Sequence, residues 1–289
     1  MPSRSIKRRW RWTILALLAV ALTTFVAAGW REARQDPVVR RTTIALAGLP
    51  RGSPPLRLAL VSDMHIGNLA MPVARLDRIV DQINAEKPDA ILLAGDFVNG
   101  SDAESWDFHP RLLAAPLSRL RAPLGLFAVL GNHDAETSPA LVEQALHQAH
   151  ITVLTNGATR IGGIALAGLD DISMHRGWPS QALAAAHRLG GVPVILAHSP
   201  EFLGWLPHDA PLIMVGHTHC GQIVLPGWSN AFDLIHWRYR FNPRYACGEV
   251  REPGRTVLIT GGVGAATIPP LRLNAPPDIW IVTLRPESG

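Results

Sequence analysis

Five short apolar runs set the rhythm of this chain: "LRLALVSD", "DAILLAGD", "GLFAVLGN", "VPVILAH" and "PLIMVGH". Runs of this length, apolar without alternation and closed by polar residues, are those of strands buried on both faces. Between some of them the period changes. In "PVARLDRIVDQINAE" the residues Val73, Leu76, Ile79, Val80 and Ile83 fall on one face of a helix. "SPALVEQALHQA" places Ser138 at an N-cap and Pro139 at the first helical position. Further strands are predicted at "TTIAL", "GGIALAGL", "TVLIT" and "DIWIVTL". Strands alternating with helices predict an α/β or layered-sheet fold and exclude a helical bundle. The segment Trp228 to Tyr245 is irregular, aromatic and rich in arginine, and the chain carries no internal repeat.

The N-terminus follows a different pattern. Thr13 to Gly29, "TILALLAVALTTFVAAG", is uncharged and mostly apolar, with Trp10 and Trp12 before it and Trp30 after it. Aromatic residues at both ends of such a run mark a membrane interface. The expected organisation is a basic tail over 1–12, a transmembrane anchor over 13–30, a linker with a first strand over 31–55, and the main domain over 56–286. A cleaved signal segment is the alternative, since "FVAAG" offers small residues and Arg8-Arg9 resembles a twin-arginine start. The length of the span and its bracketing tryptophans favour the anchor. Basic residues before the span predict a cytoplasmic N-terminus and a body on the far side. Arg31, Arg34, Arg40 and Arg41 after the span weaken that asymmetry.

Composition narrows the function. The 289 residues carry a net charge of +4, but Arg4, Lys7, Arg8, Arg9 and Arg11 supply more than this excess. Of the 27 basic residues, 22 remain beyond that tail, against 23 acidic ones. The body is neutral, so no nucleic-acid partner is expected. Two cysteines, Cys220 and Cys247, are too few for a disulfide scaffold or a four-thiolate zinc site. Gly261, Gly262 and Gly264 follow a strand, yet "AATIPP" offers no helix to receive a dinucleotide phosphate.

The chemistry lies where the apolar runs stop. They end in Asp63-Met64-His65, Gly95-Asp96, Gly131-Asn132-His133, His198 and His217-Thr218-His219. Any one of these residues alone reads as a turn, a cap or a packed histidine. Their joint placement at the carboxyl ends of five strands predicts one polar crevice. Carboxylate, amide oxygen and imidazole suit Mn, Fe or Zn. The donors exceed the needs of one tetrahedral ion, which points to two divalent ions sharing a carboxylate.

The ordered set "DMH", "GDFVNG", "GNHD", "AHSP" and "GHTHCGQ" resembles the motifs of the calcineurin-like metallophosphoesterases. The closing "TGGVGAATIPPLRLNAPPDIWIVTL" is similar to that of a bacterial membrane-anchored branch, which resembles UDP-2,3-diacylglucosamine pyrophosphatases and related phosphodiesterases. The resemblance covers residues 38 to 286. It implies a four-layer αββα sandwich with metals at the loop ends between two sheets. It further implies that Asp63, His65 and His219 bind one ion, that Asp96 bridges, and that Asn132, His198 and His217 bind the other. His133 matches the catalytic histidine that serves the leaving oxygen without binding metal. The implied activity is hydrolysis of a phosphodiester or pyrophosphate by water activated on two cations, in lipid or cell-envelope precursors. The implied location is a bacterial inner membrane, single-pass, with the domain on the periplasmic side. A phosphomonoesterase or protein phosphatase, and a metal-binding envelope protein without turnover, are the alternatives.

Two positions depart from the pattern. Asn99 stands where many members have an acid that orients the catalytic histidine; Asn99 or Asp134 is expected to take that role. Cys220 stands where the branch has glycine. It could be a soft ligand, a disulfide partner of Cys247 or a small residue filling a tight turn, and the last is the favoured reading. The aromatic-basic stretch from Trp228 reads as a lip for an anionic, partly apolar substrate or as a loop packed on the sandwich edge.

Overall fold

The computed structural model describes residues 4–100, 110–204, 206, 209–225, 242–266 and 269–287. Helix α1 (Arg4–Arg34) leads through three residues into strand β1 (Val38–Leu46). Then come β2 (Leu56–Val61), α2 (Val73–Ala85), β3 (Ala90–Ala94), α3 (Pro110–Leu117), β4 (Leu126–Val129), α4 (Asn132–Thr137), α5 (Pro139–Gln148) and β5 (Thr152–Val153). The second half holds β6 (Gly157–Ile161), β7 (Ile164–Gly168), α6 (Pro179–Leu189), β8 (Val192–Leu196), β9 (Leu212–Val215), β10 (Gly248–Glu252), β11 (Arg255–Ile259) and β12 (Asp278–Pro286).

Two six-stranded sheets result, in the orders β1-β12-β2-β3-β4-β5 and β10-β11-β9-β8-β7-β6. In the first, β2 to β5 run parallel, while β12 lies antiparallel to β2 and carries β1 parallel at the edge. In the second, β7, β8, β9 and β11 run parallel, with β6 and β10 antiparallel at the two edges.

Strand alternation assigns the layers. Leu58 and Leu60 of β2, Leu92 and Ala94 of β3, and Val129 of β4 meet Leu166, Leu196 and Met214 of the other sheet in one core. The opposite faces, with Ala59, Val61, Ile91 and Leu93, pack on Leu76, Ile79 and Ile83 of α2, on Leu113 and Leu117 of α3, and on Val142 and Leu146 of α5. Behind the second sheet Ala167, Ile195 and Ile213 meet Ala182, Leu183 and Ala186 of α6. The architecture is a four-layer αββα sandwich, and both faces of every central strand are covered, which is why those runs are apolar throughout.

Residues 31–55 hold the last turn of α1 and a strand of nine residues, longer than the five of "TTIAL". Arg40 and Arg41 conceal its start in the sequence. At this edge both guanidinium groups find carboxylates, Arg40 with Asp278 (2.7 Å) and Arg41 with Glu86 (2.6 Å). Strands β6 and β10, "GATRI" and "GEVRE", escape apolar-run reading for the same reason: both are half-exposed edges.

The end of α1 is built into the domain. Ala33 is buried with Ala70 and Ala265. Glu32 accepts the backbone N–H groups of Asn274 (3.1 Å) and Ala275 (2.7 Å), and the Gly29 carbonyl accepts that of Arg272 (3.0 Å). The buried Arg75 donates to the Arg34 (3.2 Å) and Gln35 (2.8 Å) carbonyls, where a helix end leaves acceptors without partners. Truncating Leu60 between the sheets is expected to cost about 2–5 kcal/mol. Truncating the exposed Leu124 should change stability by less than about 0.5 kcal/mol, as denaturant titration of Leu60→Ala and Leu124→Ala would read.

Candidate metal centre

The loops that leave β2, β3, β4, β8 and β9 meet at one end of the sandwich, between the two sheets. Backbone geometry there is tight. Asp63 (φ 55°), His65 (49°), Asp96 (55°), His217 (69°) and His219 (50°) all adopt left-handed conformations. For side chains with a Cβ this is costly, and such residues cluster where function demands them. Two glycines make the convergence feasible. A Cβ on Gly131 would strike the Asp96 carboxylate, and one on Gly216 would strike Ser62 and Asp63.

Two donor groups form. In the first, His65 Nε2 lies 3.1 Å from His219 Nε2, and Asp63 Oδ1 lies 3.3 Å from His219 Nε2. Ser62 Oγ (2.5 Å) and the His217 backbone N–H (3.0 Å) occupy Asp63 Oδ2, so Oδ1 stays directed at the imidazoles. In the second, His198 Nε2 faces His217 Nδ1 (2.9 Å), Asn132 Oδ1 (3.1 Å) and Asp96 Oδ2 (3.3 Å). The other ring nitrogen of His198 is 2.8 Å from the Ala94 carbonyl, which holds the N–H there and turns the Nε2 lone pair inward. Asp96 Oδ2 is also 3.7 Å from His65 Nε2, so this one oxygen stands between both groups.

The residues fit divalent ions. Asp63, His65 and Asp96 are buried, and Asp63 Oδ1 has no hydrogen-bond partner. Carboxylate and amide oxygens and imidazole nitrogens converge there from five loops, a donor set that suits a divalent ion. Without a cation, burial pushes the His65 and His217 imidazoles down to about 3, helped by His133 and by His198 respectively. Burial acts on His198 in the same sense, but Asp96 outweighs it and raises that imidazole well above its usual range.

His133 lies beside the centre, its ring edge-on to that of His65 at 4.9 Å between centroids, and its backbone N–H donates to Asp96 Oδ1 (3.0 Å). Neither residue expected to orient it is bonded to it in that role. Asn99 Oδ1 accepts from Asn68 Nδ2 (3.2 Å). Asp134 accepts from the backbone N–H groups of Asp96 (2.8 Å), Phe97 (2.8 Å), Val98 (3.2 Å) and Gly131 (2.9 Å), clamping the β3 and β4 loops together. The bonds that Asp134 makes in this structure are those of a loop clamp.

Cys220 is bonded to Cys247, with Cα atoms 4.6 Å apart, which replaces the favoured reading of a small turn filler. The two lie 27 residues apart, so only the fold brings them together. The bond ties the loop of His217 and His219 to the start of β10, and Thr218 Oγ1 reinforces it through the Ala246 carbonyl (2.8 Å). Sequence reading also passed over Arg272. This fully buried guanidinium donates to the Gly261 (2.5 Å), Gly264 (2.7 Å) and Ala275 (2.8 Å) carbonyls and touches His219 Nδ1 (2.9 Å). Its signal was an arginine flanked by leucines in an otherwise apolar turn. Of the proposed lip, residues 228–241 lie outside the described residues.

The calcineurin-like phosphoesterase family matches residues 56–221, more than half of the chain. This protein belongs to that family. It is 30% identical over 295 residues to a transmembrane protein with metallophosphoesterase domain from Danio rerio, covering 95% of this chain and 63% of that one. A metallophosphoesterase of Aquifex aeolicus is 32% identical over 260 residues, covering 87% of this chain and 93% of its own. Phosphodiesterase YaeI of Escherichia coli is 28% identical over 253 residues, covering 83% and 86%.

Two outcomes follow from the geometry. His65 and His217 titrate near 6.5 when unfolded and near 3 when folded, so their contribution to stability is present above pH 6.5 and lost as pH falls toward 3. Asp63, raised to about 6, and Asp134, raised to about 7, both chiefly by burial, offset part of this as pH falls through those values. Metal-stripped protein should melt at a lower temperature at pH 4.5 than at pH 7, by calorimetry. Cys247→Ser should lower stability by about 2–4 kcal/mol in denaturant titration. It should also reduce the bound metal per chain, because the His219 loop loses its tether.

Proposed function

We propose that this chain is a dinuclear-metal-dependent phosphoesterase that hydrolyses a phosphodiester or pyrophosphate bond. The observation that carries this reading is Asp96 Oδ2 standing between two donor groups, 3.3 Å from His198 and 3.7 Å from His65. Asp63, His65 and His219 would hold one ion; Asn132, His198 and His217 would hold the other; Asp96 would be shared. The mixed oxygen and nitrogen donors suit Mn, Fe or Zn. Divalent ions bound there would neutralise charge on phosphate oxygens and lower the pKa of bound water toward neutrality.

The remaining work falls to side chains already in place. Ser62 and the His217 backbone fix Asp63. Ala94 fixes the tautomer of His198, and Arg272 fixes the ring of His219. The backbone bond from His133 to Asp96 holds the His133 ring beside the shared carboxylate. From there its imidazole can hold a proton for the departing alkoxide. The name of the Escherichia coli relative supports a diester substrate. No thiolate belongs to either donor group, since both cysteines are committed to each other.

Helix α1 supports a membrane anchor: residues 8–34 are long and apolar enough to cross a bilayer. Burial of Gly29 and Ala33 in the domain favours retention of the helix over cleavage at "FVAAG". The basic tail favours a cytoplasmic N-terminus, and the Cys220–Cys247 bond suits the oxidising, periplasmic side of a bacterial inner membrane. A phosphate ester of a lipid or cell-envelope precursor is the substrate class this placement favours.

The test is turnover of full-length protein loaded with Mn, Fe or Zn. Bis-p-nitrophenyl phosphate should be hydrolysed faster than p-nitrophenyl phosphate; the reverse order would favour a phosphomonoesterase. His133→Ala should lose about 10²–10⁴-fold in turnover at unchanged metal content. Asp96→Asn should lose both turnover and metal.

A further inference from the structure

The position of α1 has a bearing on what the centre can reach. Strand β1 begins at Val38, paired with Asp278 at the start of β12. Because β12 is antiparallel to β2, with Trp280 opposite Leu60, that start lies beside the end of β2. The loops bearing Asp63, Asp96 and Asn132 leave the first sheet from this same end. Helix α1 therefore joins the sandwich at its metal-bearing end, and the opposite end, where β1 turns to β2 through Arg51, points away.

The junction is stiff. Residues 29–34 bond to Arg272, Asn274 and Ala275 on one side and pack on Ala70 on the other. Each side leads straight to the centre, Arg272 by its contact with His219 (2.9 Å) and Ala70 through the turn that starts at His65. In that turn the Asn68 N–H donates to the His65 carbonyl (3.1 Å), and Asn68 Nδ2 donates to the Ala265 carbonyl (2.8 Å). The docked stretch is about 8 Å long at 1.5 Å per residue. That compares with roughly 5–8 Å for the headgroup layer on one side of a bilayer.

One side chain in this turn faces outward. Leu69 is 74% exposed, between Asn68 at 6% and Ala70 at 0%. The helix end that packs on the neighbouring Ala70 carries exposed Arg31 and Arg34, with Arg34 over the Trp30 ring at 5.2 Å. Aromatic and basic residues at the end of an apolar span are those that seat at lipid headgroups.

We propose that the metal-bearing end of the sandwich rests on the bilayer that holds α1, with Leu69 inserted at the interface, so that the centre meets phosphate esters carried by lipids of that membrane. The substrate half of this proposal rests on the phosphoesterase reading above; the seating half does not. Burying one leucine contributes about 1.5–3 kcal/mol, enough to seat a loop already held beside the membrane by a helix.

The experiment uses full-length protein in nanodiscs of phosphatidylcholine with phosphatidylglycerol. Leu69→Cys and Arg51→Cys each receive a nitroxide label, the native cysteines being bonded to each other. Power-saturation spectroscopy then compares lipid-soluble oxygen with a water-soluble nickel chelate. The label at 69 should be relaxed more by oxygen and the label at 51 more by nickel. Equal relaxation by nickel at both positions would overturn the proposal. In parallel, Leu69→Asp should slow hydrolysis of a headgroup-labelled phosphatidylethanolamine in the same nanodisc by about tenfold. Bis-p-nitrophenyl phosphate turnover should be unchanged; equal loss on both substrates would make Leu69 a support of the centre and count against the membrane contact. If neither substrate is turned over by the parent protein, the phosphoesterase reading fails, and the nitroxide result still decides the seating.

Discussion

Everything at the site end depends on one electrostatic constraint: the Asp96 carboxylate is buried between the imidazoles of two donor groups. Asp96 Oδ2 lies 3.3 Å from His198 Nε2 and 3.7 Å from His65 Nε2, and the residue is 1% exposed. Burial alone would raise this carboxyl, yet the imidazoles of His198, His133 and His65 hold it well below its usual range. A buried anion among neutral donors is tolerated only when a positive charge joins it. Asp96 favours such a charge on His198, whose imidazole it raises against the effect of burial. A divalent ion satisfies more of the same lone pairs at once.

The fold exists in a form that can supply this constraint. Parallel strands from two sheets end together, so residues from five loops reach one place within four positions of their strand ends. The cost appears as left-handed backbone at Asp63, His65, Asp96, His217 and His219. Clamps offset it: Asp134 gathers four main-chain N–H groups, the Cys220–Cys247 bond holds the histidine loop from one side, and Arg272 holds it from the other. Arg272 also receives the end of α1 through its backbone, which makes the anchor part of the support of the centre.

What could be read from the sequence was what repeats with a period or sits at a strand end. The five central strands and the residues closing them were legible because apolar runs buried on both faces leave an unbroken signature. Family resemblance supplied the division into two sheets, which periodicity alone does not give. The edge strands β6 and β10 were hidden by Arg160, Glu249 and Arg251, whose charges are tolerated only because those strands lie at sheet margins. The roles of Asp134, Cys220 and Arg272 were hidden for another reason. Each depends on a partner brought close by the fold, Cys247 across 27 residues and His219 across 53. Local sequence carries no distance of that kind.

The central claim is that one carboxylate serves two ions. Anomalous diffraction from crystals of the manganese-loaded protein tests it most directly. The account predicts two peaks roughly 3.5–4 Å apart, one beside His65 and His219 and one beside His198 and His217, with Asp96 between them. A single peak, or two peaks that leave Asp96 outside both shells, would contradict it.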